Sequence, residues 1–122
     1  MRFSTMPVYE RALKLLEVVY ALTNVLPNSE NFNMISQINR SALSVSSNIA
    51  EGSGRNSDKD FARFIAMARG SLYETFSIAS AIGVIYPTFS VEVRVIQDFT
   101  KELSQELETF RKFLLKRKTP VG

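Results

Sequence analysis

Along four stretches of the chain, apolar residues recur at threes and fours, the period of an amphipathic α-helix; no stretch alternates as a strand does. The first stretch runs from about residue 7 to 26, with Val8, Ala12, Leu15, Leu16, Val19, Leu22 and Leu26 on one stripe. Pro7 suits a first helical turn, where its missing N–H has no partner to lose, and Pro27 stops the helix. The second stretch, 33–52, carries Met34, Ile35, Ile38, Ala42, Val45 and Ile49. Gly52 and Gly54 are expected to end it by taking the positive φ of a helix C-cap. Its middle is rich in serine (Ser41, Ser44, Ser46, Ser47), a weak helix composition that tertiary packing must hold.

The third stretch, 58–86, opens behind Ser57, a good N-cap, with Asp58 and Asp60 at the positive end of the helix dipole. Its stripe is Phe61, Phe64, Ile65, Ala68, Leu72, Phe76, Ala79 and Ile82, and Pro87 ends it. The fourth, 90–117, is expected to be capped by Thr88 or Ser90 and carries Ile96, Phe99, Leu103, Leu107, Phe110 and Leu114. Four helices with short connections predict an all-α, up-and-down antiparallel four-helix bundle, with 1–122 as a single domain. The phenylalanines Phe61, Phe64, Phe76, Phe99, Phe110 and Phe113 are read as core, and Tyr9, Tyr20, Tyr73 and Tyr86 as interfacial.

Two helices carry more apolar surface than a lone bundle uses. The third adds Ala62, Ala66, Gly70, Ser77 and Ala81, and the first adds Leu13, Val18 and Tyr20. A glycine inside a helix costs about 1 kcal/mol against alanine, so Gly70 is expected to serve close packing. Two-sided helices in a small domain predict burial against a second copy, a homo-oligomer.

Composition mainly excludes. The chain of 122 residues has no histidine and no cysteine. A Ser-His-Asp triad, a thiolate nucleophile, a disulfide and a His or Cys metal site are therefore ruled out. A carboxylate site from Glu51, Asp58 and Asp60 is disfavoured, since two residues apart on a helix is not one face. No enzymatic activity, cofactor or metal is expected. Without an apolar span or an export-signal pattern, a cytoplasmic protein away from membranes is expected. The net charge of +3 is uneven: 1–110 holds ten basic and twelve acidic residues, and the tail holds Arg111, Lys112, Lys116, Arg117 and Lys118 with no acid. Two readings fit this tail: it attracts phosphates, or its cations complement the negative end of the last helix.

The run from Gln37 to Glu74 carries a recognisable pattern: Ser44, Ser47, Asn48, Ile49, Ala50, Glu51 and Gly52; then Gly54, Arg55 and Ser57; then Phe61, Arg63 and Phe64; then Gly70, Ser71 and Glu74. It resembles the family of bacterial 23S rRNA intervening-sequence proteins, also called the S23 ribosomal protein family. The resemblance implies a left-handed up-down bundle that assembles as a homopentamer and has no enzymatic activity. A related group, the accessory variability proteins of diversity-generating retroelements, engages a reverse transcriptase and nucleic acid. RNA, another nucleic acid or a nucleic-acid-handling protein are thus the partners the resemblance implies, besides further copies of the chain. This sequence has Ser46 where many members have proline, and Asn39 and Asn56 where many have a cation, which lowers the expected hold on phosphates.

The motif residues admit two roles. Arg40, Arg55, Arg63 and Arg69 are able to fork phosphates. Alternatively, Ser47 and Asn48 satisfy backbone groups at the helix end, while Glu51 and Glu74 pair with arginines to fix the turn and a subunit contact. An oligomeric scaffold for RNA and a scaffold for protein partners alone are the two functions left standing.

Overall fold

The computed structural model describes residues 1–117; Lys118 lies outside them. Four helices run in order: α1 (Pro7–Thr23), α2 (Met34–Ser53), α3 (Asp58–Ile85) and α4 (Ser90–Lys116). Short 3₁₀ turns precede α1 (Arg2–Thr5), join α1 to α2 (Asn28–Glu30) and join α3 to α4 (Pro87–Phe89). Helices adjacent in the chain pack together, and α4 closes back on α1, which makes a four-helix bundle. Side-chain pairs fix the antiparallel sense. Ser41 meets Thr75 and Ser44 meets Ser71 across α2 and α3. Arg117 meets Asp58 and Gln97 meets Ser80 across α3 and α4.

The helical stripes become the core. Leu15, Val19, Leu22, Ile38, Val45, Ile49, Ile65, Leu72, Ile82, Ile96, Leu103 and Leu107 are fully buried or nearly so. Each such side chain contributes roughly 1.5–3 kcal/mol by leaving water. Phe61 and Phe64 are buried, whereas Phe76, Phe99 and Phe110 are half-buried at the core's edge. Phe113 departs from the expectation: it is 52% exposed, stacked on Phe110 with Arg117 over its ring. Its place on α4 is one residue before the stripe that Leu114 continues, so it faces water.

Several boundaries moved for local reasons. α1 ends at Thr23 rather than near Leu26, because residue 26 precedes proline and turns inward to be buried. No described glycine has positive φ, and Gly54 ends α2 at φ −87°. What Gly52 supplies is space. A Cβ there would lie 2.6 Å from Phe64 Cβ and 2.8 Å from Phe61 Cδ1, so α2 crosses the start of α3 at a distance only glycine allows. Neither Thr88 nor Ser90 caps α4: the Pro87–Phe89 turn leads straight in, and Ser90 is already helical. Ser57 does cap α3, accepting the Asp60 N–H at 3.1 Å.

Candidate functional site

The motif residues gather along the α2–α3 face and at the turn joining the two helices. Antiparallel pairing brings the serine-rich middle of α2 against α3, where it forms a seam of hydroxyl bonds. Ser71 donates to Ser44 Oγ at 2.9 Å, and Asn48 Nδ2 donates to Ser44 O and Oγ at 2.9 and 3.1 Å. Buried Ser41 and Thr75 share a 2.8 Å bond, and Thr75 also donates to Ser71 O. Two of the four serines, Ser41 and Ser44, thereby bond across to α3, while Ser46 donates to Leu43 O of its own helix, because buried hydroxyls need partners. Asn48 serves this seam and not the helix end, and Ser47 is exposed with no side-chain hydrogen bond among the described residues.

At the turn, charge is matched locally. Arg55 bonds Glu51 at 3.0 Å and lies 3.8 Å from Asp60, while Arg63 Nε donates to Asp60 at 2.9 Å. Both guanidinium groups sit over the Phe64 ring, at 4.5 and 4.6 Å from its centroid. Arg69 donates to Ser104 O and Oγ and pairs with Glu108. These three arginines are engaged inside the chain. Arg40 is exposed and has no carboxylate partner among the described residues, and the same holds for Glu74, which does not form the pair expected of it.

The basic tail divides in two. Arg111 donates to Glu108 through Nη2 and Nε, at 2.6 and 3.1 Å. Arg117 forks Asp58 at 2.6 and 2.7 Å and so ties the end of α4 to the start of α3. The Arg117 bond holds the Asp58 carboxyl below the usual carboxylate range, and Asp58 in turn raises Arg117. Arg111, bonded to Glu108 with Arg69 nearby, lowers Glu108 likewise. Lys112 and Lys116 remain exposed, without carboxylate partners among the described residues.

Among the described residues, no element covers the outer face of α3. Ala66, Met67, Gly70, Tyr73, Ser77, Ala81 and Val84 are exposed there. An added Cβ at Gly70 would meet nothing within 4 Å. The packing expected of Gly70 is therefore absent among the described residues.

The model of the 23S rRNA-intervening sequence protein family matches residues 4–116. The chain belongs to that family. A solved structure from Bacteroides thetaiotaomicron, a protein with unknown function from the S23 ribosomal protein family, has the same fold, with TM-score 0.78 and 24% identity over 86% of this chain and 98% of that one. No curated protein matches. Within this intervening-sequence protein, two features escaped the sequence reading. The Asp58–Arg117 tie joins residues 59 apart, and no local pattern signals it. A groove between α3 and α4 arises where small Thr100 and Ser104 face Leu72 and Phe76. Among the described residues, no helix is long and apolar enough to cross a membrane, and no cluster of three or more carboxylates is placed to hold a metal ion.

Proposed function

We propose that this protein is a non-enzymatic helical scaffold that self-associates through the outer face of α3. The observation that carries the reading is Gly70. Mid-helix glycine costs about 1 kcal/mol against alanine, and no neighbour among the described residues explains that cost. A second helix seated on Ala66, Gly70, Ser77 and Ala81 would explain it, with Tyr73 and Met67 as larger contacts. The left-handed pentamer that the family resemblance implies is one assembly that would use this face. Light scattering after size exclusion tests it. The expected native mass is about five times the 13.8 kDa chain, and Gly70→Leu is expected to lower it while circular dichroism stays helical. A wild-type monomer, or an unchanged mass in Gly70→Leu, overturns the reading.

A second reading, RNA binding, is supported by Lys112 and Lys116, which stand one turn apart on α4, exposed and without carboxylate partners among the described residues. With Arg111 and Arg117 engaged by carboxylates, the tail offers fewer free cations than its sequence suggests. Anisotropy titrations of a structured RNA and a matched DNA duplex across a salt series test this. If RNA binds, changing both lysines to glutamine is expected to flatten the log–log salt slope by roughly 1.5.

A further inference from the structure

The groove between α3 and α4 has a chemistry of its own. It is half open to solvent and has a volume of about 570 Å³, within the roughly 300–1,000 Å³ typical of small-ligand sites. Its floor is apolar: Leu72 is 1% exposed and the Phe76 ring is half-buried. The Tyr73 ring, 65% exposed, stands on the rim. Beside it the Lys101 ammonium lies 5.5 Å from the Phe76 centroid.

Among the described residues, the charges around the groove leave Lys101 without a carboxylate. Arg69 is spent on Ser104 and Glu108. Asp98, one turn before Lys101, pairs with Arg94, and Glu102 pairs with Arg11 of α1. Lys101 has no carboxylate partner among the described residues, and Gln105, one turn further on, makes no side-chain hydrogen bond among them. An apolar trough with a single ammonium that lacks a carboxylate partner among the described residues does not suit a polyanion, which needs several cations to replace its counterions. It also disfavours a cationic ligand.

We infer that this groove binds a small apolar monocarboxylate. Its alkyl or aryl body packs on Leu72, Phe76 and Tyr73, and its carboxylate takes the Lys101 ammonium and the Gln105 amide. The site is separate from the assembly face, which it meets only at Tyr73.

The test uses 4-phenylbutyrate and the matched alcohol 4-phenylbutan-1-ol, titrated into the whole chain and followed by ligand-observed saturation-transfer NMR. Wild type is expected to bind the acid saturably and the alcohol at least about tenfold more weakly. Lys101→Gln, at an exposed position that leaves the fold intact by circular dichroism, is expected to weaken the acid by a similar factor and leave the alcohol unchanged. Absence of saturable binding overturns the inference, as does equal binding of acid and alcohol or an unaltered acid affinity in Lys101→Gln. Acid binding that weakens as protein concentration rises would mean that a second copy fills the groove, which also overturns it. Light scattering on the same samples reports the α3 assembly face independently.

Discussion

Two glycines on neighbouring parts of one motif have opposite physical roles. Gly52 is a space requirement: Phe61 and Phe64 of α3 occupy the room a methyl group would need. Gly52→Ala forces those rings or the helix to shift, and it is expected to destabilise by roughly 1–3 kcal/mol in thermal or denaturant unfolding. Gly70 has open space, so Gly70→Ala is expected to stabilise an isolated chain by up to about 1 kcal/mol through helix propensity. Measuring both by the same melt separates packing from propensity. A destabilised Gly70→Ala would mean that its partner surface contributes to the folded state being measured. Asn48 gives the same lesson with a polar side chain. Its position near a helix end suggests capping, yet its amide is held by Ser44 in the interhelical seam.

At the scale of elements, the start of α3 is held twice, once by its own cap and once by the end of α4. Ser57→Ala removes the bond from the Asp60 N–H and is expected to cost about 1 kcal/mol. The Arg117 fork on Asp58 adds a pH dependence of definite sign. Asp58 is held below its ordinary value in the folded chain, so its ionised form stabilises the fold. That contribution is complete above the unfolded carboxylate value of about 4 and is lost as pH falls through the depressed folded value. Glu108 acts in the same direction. Asp58→Asn is therefore expected to lower Tm at neutral pH and to flatten the decline of Tm below about pH 4. Arg117→Gln should lower Tm like Asp58→Asn, whereas Lys116→Gln, at an exposed unpaired position, should leave it nearly unchanged. Equal effects from both cations would remove the tie between α4 and α3 as a stabilising element.

For the whole molecule, charge and apolar surface are distributed differently from what a linear reading suggests. The tail of Arg111, Lys112, Lys116, Arg117 and Lys118 reads as one basic block, but folding returns the acids of 1–110 to it. Glu108 takes Arg111 and Asp58 takes Arg117. The apolar excess moves the other way. On α3 it becomes a face left exposed among the described residues, with Glu74 among its apolar positions, and α4 adds a groove whose Lys101 has no carboxylate partner among them. A molecule built this way offers more surface for apolar partners than for long polyanions. Native mass, salt-dependent RNA binding and carboxylate binding test three surfaces, of which the assembly face and the groove share Tyr73.

The sequence by itself determined the four helices, their order and most of the core, because a 3.6-residue apolar period specifies a buried face whatever the neighbours are. Ser57 as a cap was equally legible, since a cap acts within one turn. The family pattern from Ser44 to Glu74 was legible as a cluster, but not what each member does. The long-range pairs were decided by tertiary structure alone: Asp58 with Arg117, Arg69 with Glu108, Ser71 with Ser44. Helix-end details were also settled by the folded chain: Leu26 turns inward to be buried, Gly54 ends α2 without positive φ, and the Pro87–Phe89 turn leads into α4 without a cap from Ser90. The physical reason is common to all of these. Periodicity and capping are energies of neighbours in sequence, whereas ion pairs, clearances and grooves depend on how whole helices are set side by side.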